Sequence, residues 1–184
     1  AIYAKMSTGG TGFTDVPASH WAAGGIAYAV ENGLMAGTSR TTFAPAAPTT
    51  RGMMMTILAR QDGVSTSGGG TWYEKGMAWA KENGISDGSA PNGSITREQL
   101  AVMLHRTIEY LEDETGRSVL ADAGGLESFT DAGQVSGWAA DSLAALTASG
   151  ILQGTSSATL SPKDTTTVEQ AILLTLRAYQ EFSK

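Results

Sequence analysis

The sequence predicts an all-α protein made of three copies of one helix–loop–helix unit. Residues 26–37 align without a gap with 77–88 at an offset of 51, and with 143–154 at an offset of 117. A fixed internal repeat is typical of units that are too small to bury their own apolar face and must pack on one another. We therefore expect binding sites between the units.

Apolar spacing and glycine positions define the helices of each unit. In the first unit, Trp21, Ile26 and the alanines that follow recur at helical spacing. Gly33 then stands where a left-handed residue ends a helix, and Gly84 and Gly150 occupy the aligned positions. The predicted helices are, in chain order, 20–32, 49 or 50 to about 62, 73–83, 97–111, 137–149 and 168–182.

A threonine precedes the second helix of each unit and predicts its first turn. Thr96 and Gln99 have the spacing of a capping box, in which two side chains satisfy free amides of the first turn. Thr167 and Gln170 repeat this spacing. The first unit has Met53 at the closing position, so we expect it to lack the box.

Two irregular segments separate the units. Residues 63–70 are rich in glycine and serine, which is typical of a flexible linker, and 113–128 form a longer connection. The predicted division is a tail at 1–12, a first unit at 13–62, the linker at 63–70, a shortened second unit at 71–112, a connecting loop at 113–128 and a third unit at 129–184.

Composition excludes several classes of function. Twelve basic residues against eighteen acidic ones give a net charge of -6, which disfavours nonspecific binding to nucleic acid. The chain has no cysteine, so disulfides and thiolate chemistry are excluded. No apolar run is long enough to span a membrane, and the first ten residues lack the layout of a signal peptide. We expect an intracellular, a processed or an excised chain.

Two arginines stand where a cation is unfavourable. Arg51 and Arg97 directly follow the threonine that opens a helix, and the helix N-terminus is already electropositive, at a cost of about 0.3–1 kcal/mol. A charge-assisted contact with an anion contributes about 1.5–3 kcal/mol, which outweighs that cost. The anion is either an external ligand or an internal acid such as Asp15, and the two interpretations are compatible. The third unit has Val168 here, so we expect a third site to be impaired.

Acids and tryptophans near the start of the units are further candidates. Asp15 and Asp131 each follow an aromatic–threonine pair. They could cap the following turn, which we favour, or accept a sugar hydroxyl. Trp21 and Trp138 could stack on a pyranose ring, although an aromatic residue at the start of an amphipathic helix is more often part of the core.

The glycine that ends each aligned segment allows a tight turn and a close approach of a ligand to the backbone. These residues are Gly37, Gly88 and Gly154. Ser86 lies in a Gly-x-Ser-x-Gly match, but a helix precedes it and the sister units have Met35 and Leu152 there, so we reject a hydrolase motif. No paired-acid, nucleophile or metal-ligand arrangement recurs, and we predict no enzyme activity, no metal and no cofactor.

The chain resembles three consecutive S-layer homology (SLH) motifs. In the first unit the resemblance is carried by 13–16, 20–22, 26–37, 43–45 and 50–51. In the second unit it is carried by 77–88 and 95–98, and in the third by 129–131, 138–139 and 143–154. The resemblance covers 13 to about 182, nearly the whole chain.

This resemblance implies a fold and a function. The fold is a pseudo-threefold, three-pronged spindle around a central helical bundle, with grooves between neighbouring motifs. The function is noncovalent anchoring of a bacterial surface protein to the cell wall, at the S-layer, through a secondary cell-wall polysaccharide or another peptidoglycan-linked glycan. Such glycans often carry a pyruvate ketal, which supplies a carboxylate. The resemblance assigns ligand roles to Arg51 and Arg97, with Asp15, Trp21 and Gly37 as neighbouring candidates.

The chain departs from the family pattern in each unit. The first unit lacks the family's glutamate after Arg51, the second lacks the Phe-x-Asp opening, and the third lacks the arginine. We therefore predict that one or two grooves bind and the third is structural, in a monomer whose internal symmetry replaces a trimer. The rival interpretation is a degenerate SLH module that joins protein partners in a surface layer.

Overall fold

The computed structural model describes residues 10–122 and 124–184, and the part described is all-helical, as predicted, without a strand. Most of the predicted tail at 1–12 lies outside the described residues. The six α-helices of the described part are α1 (Ala23–Glu31), α2 (Arg51–Gln61), α3 (Glu74–Glu82), α4 (Arg97–Thr115), α5 (Ala140–Ala148) and α6 (Val168–Glu181), and a short 3-10 helix spans Ala132–Gln134.

Three helix starts or ends lie three or more residues from the predicted position. The helices α1 and α5 begin three residues later than expected, because the residues before them form tight turns, as when the Ala139 amide donates to the Ser136 carbonyl at 2.9 Å. The helix α4 continues beyond 111 to Thr115 and ends at Gly116, which has a left-handed φ of 67°. Gly33, Gly84 and Gly150 also have left-handed φ values, which confirms their predicted role.

All three second helices have a complete capping box, including the first. The prediction that the first unit lacks one is wrong, because the Thr50 amide donates to the Met53 sulfur at 3.5 Å while the Thr50 hydroxyl accepts from the Met53 amide. A thioether thus occupies the place that a glutamine oxygen occupies in the other two units.

The segments before the second helices are joined in a closed ring of hydrogen bonds. The Thr49 amide donates to the Thr166 carbonyl, the Thr166 amide to the Ile95 carbonyl, and the Ile95 amide to the Thr49 carbonyl, all at 2.8–2.9 Å. The first amides of α2, α4 and α6 also donate to backbone carbonyls of another unit. Each unit is therefore bonded to both of the others.

Helix packing follows the same cyclic order. The second helix of each unit packs on the first helix of the next, so that α2 contacts α3, α4 contacts α5 and α6 contacts α1. Equivalent positions of the second helices are buried, among them Met55, Ala101 and Ile172. Because every pair combines helices from two units, a groove between units has walls that different units supply. The three-pronged spindle stays a prediction.

Candidate functional site

Three surface grooves lie at equivalent places between the units. Groove A has a volume of about 380 Å³ and is lined by Arg51, Asp87, Val102, Met103, Arg106 and Trp138, with others. Groove B has about 400 Å³ and is lined by Trp21, Arg97, Gly154, Leu173, Leu174 and Arg177, with others. Groove C has about 150 Å³ and is lined by Met35, Met53, Thr56, Ile57, Arg60 and Trp72, with others.

Each of the two larger grooves is assembled from three units. In groove A, α4 and the loop after α3 come from the second unit, Arg51 comes from the first and Trp138 from the third. In groove B, α6 and the loop after α5 come from the third unit, Arg97 comes from the second and Trp21 from the first. The structure therefore brings each predicted arginine together with a predicted tryptophan.

Arg51 has an internal acid as a neighbour. Its Nε donates to the Ser89 carbonyl at 2.9 Å, and its Nη2 lies 3.3 Å from Asp87 Oδ1. The side chain of Asp87 is 73% exposed, so this ion pair stands at the rim of the groove. Hydrogen bonds from Ser89 chiefly lower the pKa of Asp87, and the charges of Arg51 and Arg106 add to that. The sequence suggested Asp15 as the internal partner, and the structure places Asp87 there instead.

Arg97 is more deeply buried, and its contacts are main-chain carbonyls. The residue is 8% exposed, its Nε donates to the Leu160 carbonyl at 2.8 Å, and its Nη2 donates to the Gln153 carbonyl at 3.0 Å. Burial lowers the pKa of Arg97, and the charges of Asp164 and Asp131 oppose that shift. Among the described residues no carboxylate lies within 4 Å of its nitrogen atoms. The carbonyls therefore orient the guanidinium without neutralising it.

Groove C has no arginine at a helix N-terminus. Val168 occupies the equivalent position, is 3% exposed and does not line the groove. The cation that does line it, Arg60, donates to the Thr66 hydroxyl at 2.7 Å and to the Leu34 carbonyl at 3.0 Å. Met53 stands where grooves A and B have Gln99 and Gln170, and Met35 stands where groove A has Ser86, so groove C is small and mostly apolar.

The groove tryptophans are exposed, which corrects the expectation that they belong to the core. Trp21 and Trp138 are each 60% exposed and Trp72 is 51% exposed. An exposed indole ring in a polar groove presents a flat apolar face, which is the surface that pyranose rings and cations contact. Whether a ligand uses these faces stays a prediction.

The two candidate aspartates are held by the backbone of their own units. Asp15 accepts hydrogen bonds from the Phe43 and Ala44 amides, and Asp131 accepts from the Leu160 and Ser161 amides. The amide of Ala44, followed by that of Phe43, lowers the pKa of Asp15. Burial would raise the pKa of Asp131, but the hydrogen bonds outweigh it and lower the value. These carboxylates fasten a distant loop rather than the turn that follows them, and neither lines groove A, B or C.

The candidate glycines serve the loops in different ways. Gly154 lines groove B, and a side chain there would collide with the Thr159 carbonyl. Gly37 faces the Phe13 ring, which a Cβ would approach to 2.5 Å. Gly88 has a left-handed φ of 77° and stands between two residues that line groove A.

Sequence reasoning missed one arginine in each groove, which is the second arginine of grooves A and B and the one arginine that lines groove C. Arg60, Arg106 and Arg177 each lie nine residues after the first residue of their helix. Arg106 Nη1 donates to the Ile85 carbonyl at 3.4 Å, whereas Arg177 has no hydrogen bond or ion pair within the part of the chain that the structure describes. The constant spacing from the helix starts is a signal that alignment of the second helices would have revealed.

The described residues contain no cluster of three or more acidic or histidine side chains that could hold a metal ion. Among the same residues no helix is long and apolar enough to cross a membrane.

Comparison with known proteins adds the family. The model of the S-layer homology domain matches residues 12–53 and 128–172. The chain is 31% identical over 171 residues to an endoglucanase of Bacillus sp. (strain KSM-635), which covers 86% of this chain and 18% of that enzyme. It is 25% identical over 194 residues to an S-layer protein of Bacillus thuringiensis subsp. finitimus, covering 98% of this chain and 23% of that protein. It is 36% identical over 124 residues to the surface-layer 125 kDa protein of Lysinibacillus sphaericus, covering 56% of this chain and 10% of that protein.

The fold and the grooves define a cyclic, all-helical repeat module with cationic, tryptophan-bearing clefts. The chain carries S-layer homology motifs, which the family's model matches at residues 12–53 and 128–172. It spans less than a quarter of the length of these relatives, and the shared segment occurs both in an enzyme and in S-layer proteins. The similarity to the endoglucanase therefore does not imply catalysis by this chain.

Proposed function

We propose that this module anchors a bacterial surface protein noncovalently to the cell wall by binding an anionic secondary cell-wall polysaccharide in grooves A and B. The acidic group is a carboxylate, such as that of a pyruvate ketal on a sugar. Surface-layer relatives from two genera and the SLH match support attachment at the cell surface. The protein is then extracellular, in the cell wall or S-layer.

One observation carries the choice of ligand. Groove B brings Arg97, Arg177 and the exposed ring of Trp21 into one cleft, although the three residues belong to three different units. A flat indole face suits a sugar ring, and an arginine without an internal acid suits a carboxylate. A neutral glycan would leave two cations in the cleft unused, so the arrangement favours an acidic sugar.

Groove A contains two arginines and a tryptophan like groove B, but it also contains an internal acid that competes with a ligand for Arg51. Arg51 and Arg106 line it with Trp138, but Asp87 already lies beside Arg51. A carboxylate ligand must displace this exposed acid, which costs little because an exposed pair contributes only about 0.2–1 kcal/mol. We therefore expect both grooves to bind, groove A more weakly than groove B, and groove C to be structural.

The working unit is the single chain with the divisions predicted from the sequence. We propose that 13–62, 71–112 and 129–184 act as its three motifs, that it is monomeric, and that it needs no cofactor. The shortened second motif supplies α4, which contributes to groove A through Met103 and to groove B through Arg97.

The first test is cosedimentation of the chain with purified cell-wall sacculi, before and after chemical removal of the secondary polymer. We expect binding that is lost with the polymer. Titration with pyruvylated wall fragments should give a stoichiometry below three, with loss on changing Trp21 or Trp138 to alanine. Equal losses from Val168→Ala and Arg51→Gln would contradict the assignment of groove C as structural.

The alternative is an SLH module that joins protein partners in a surface layer instead of binding the wall. The internal contacts of Arg51 with Asp87 and of Arg97 with two carbonyls favour it, because both arginines then have a structural use. This alternative predicts that the chain binds sacculi equally well with and without the polymer, or that it does not bind them at all. The sedimentation experiment therefore separates the two functions.

A further inference from the structure

Trp138 of groove A and Trp21 of groove B each lie in a turn, and different side-chain contacts hold the two turns in place. Each turn contacts a glutamate at the second position of a helix: Glu98 on α4 beside groove A, and Glu169 on α6 beside groove B. Glu169 Oε2 lies 3.2 Å from Nε2 of His20, which is the residue directly before Trp21. The His20 and Trp21 rings also stack, with centroids 6.0 Å apart.

The contacts of His20 define its protonation state. Its Nδ1 lies 3.1 Å from the Ala22 amide, which can only donate, so Nδ1 must accept. Its Nε2 faces the Glu169 carboxylate, which can only accept when ionised, so Nε2 must carry hydrogen. The observed geometry therefore requires the neutral Nε2–H tautomer.

Protonation of His20 places a second N–H against the Ala22 amide. Two donors then face each other, so the side-chain bond to the Ala22 amide is lost, while the backbone bond from the Ala23 amide to the His20 carbonyl at 3.0 Å keeps the turn closed. The ionisable groups that face the ring are Glu169 on α6 and Asp15 in the preceding turn. The charge of His20 adds to the hydrogen bonds that lower the pKa of Asp15. Histidine changes charge between about pH 5 and 8.

The turn beside groove A contains no such group. Glu98 accepts from the Ser136 amide and hydroxyl, both at 2.9 Å, and from Lys163 Nζ at 2.6 Å. Gly137 stands where the first unit has His20, one residue before Trp138. Burial would raise the pKa of Glu98, but the bonds from Lys163 and Ser136 outweigh it and lower the value. This contact is therefore unchanged between pH 5 and 8.

We propose that His20 is a pH-sensitive positioning residue of groove B. In its neutral form it bonds both to the Ala22 amide, directly before α1, and to Glu169 on α6. Protonation breaks the first bond and strengthens the second, which shifts the His20 ring, and the Trp21 ring stacked on it, towards α6. Groove B then weakens in acid while groove A does not. The part that concerns the ligand rests on the proposed function, whereas the movement of Trp21 does not.

The ligand-free test follows the indole N–H signals of the four tryptophans by NMR between pH 5 and 8. We expect the Trp21 signal to shift with the midpoint of the His20 ring signals and the Trp138 signal to stay in place. His20→Asn keeps an acceptor for the Ala22 amide and does not titrate, so it should abolish the shift. His105→Asn removes the other histidine, which contacts Ser142 and Glu109, and should leave the shift unchanged. A Trp21 signal that does not follow His20 overturns the proposal.

The binding test uses variants that each keep one proposed groove. Trp138→Ala leaves groove B, and its affinity for sacculi should fall about three- to tenfold from pH 8 to pH 5.5, which is the loss expected for one hydrogen bond. Trp21→Ala leaves groove A and should show the same affinity at both values. Adding His20→Asn to Trp138→Ala should remove the pH dependence. Equal pH dependence of both grooves refutes the role of His20, whereas absence of binding at pH 8 refutes the proposed function and leaves the NMR result decisive for His20.

Discussion

Replacing Arg97 by methionine separates a structural from a binding role for the two helix-start arginines. Methionine keeps most of the side-chain length and removes the donors. The Arg97→Met variant loses two charge-assisted hydrogen bonds, to the Leu160 and Gln153 carbonyls, at a residue that is 8% exposed. The matched variant Arg51→Met loses one carbonyl contact and an ion pair with the exposed Asp87.

The expected magnitudes differ. Hydrogen bonds to charged groups contribute about 1.5–3 kcal/mol each, and removing a buried guanidinium also removes its desolvation cost. We therefore expect Arg97→Met to lower the free energy of unfolding by about 2–4 kcal/mol. Arg51→Met should cost about 1 kcal/mol, because the carbonyl hydrogen bond and the ion pair that it loses both lie at the exposed rim of groove A, where such contacts contribute only about 0.2–1 kcal/mol each.

Urea unfolding followed by far-ultraviolet circular dichroism measures both values. With a slope of about 2 kcal/mol/M, the midpoint of Arg97→Met should lie about 0.5–1.5 M below that of Arg51→Met. If Arg51→Met proves as destabilising as Arg97→Met, the burial and contacts assigned to these arginines do not govern their energetics. If Arg97→Met folds well, its binding to sacculi at low temperature reports its ligand role directly.

Further variants test other parts of the structure. Val168→Ala removes two buried methyl groups and should lower the free energy of unfolding by about 2 kcal/mol in urea, with no change in the titration of wall fragments. Gly25→Ala should cost about 1–3 kcal/mol in the same assay, because its Cβ would stand 2.7 Å from a methyl carbon of Leu173 on α6. The pKa values of Asp15 and Asp131 are lowered in the folded state, so their contribution is present above their unfolded pKa and is lost as the pH falls through about 4 and below. Replacing both by asparagine should flatten the dependence of the melting temperature on pH below 5.

The helices were predictable because their signals are local. Periodic apolar residues, a threonine before each second helix and a left-handed glycine after each first helix act within a few residues of one another. The capping box closed by Met53 was missed for the opposite reason. Sulfur is a weak acceptor, and only the geometry of the folded turn shows that it is in reach.

The site was predictable in part. Alignment of the units identified Arg51 and Arg97, but the partner of Arg51 lies 36 residues away in a different unit, where no local pattern points to Asp87. The exposure of Trp21 depends on which unit faces it across groove B, which the sequence of one unit does not state. Arg177 repeats the spacing of Arg60 and Arg106 only within the second helices, which lie outside the aligned segments 26–37, 77–88 and 143–154.

The ring through Thr49, Ile95 and Thr166 constrains how the chain is made. The acceptor of the Thr49 amide lies 117 residues later, so every residue up to Thr166 must be synthesised before the ring can close. Until then, the ring amides of the first two units lack their protein acceptors, and the face of α1 that α6 covers stays exposed to solvent. A chain that lacks α6 should therefore expose apolar surface that chaperones and proteases recognise. The presence of α6 thus decides whether the module is protected from them.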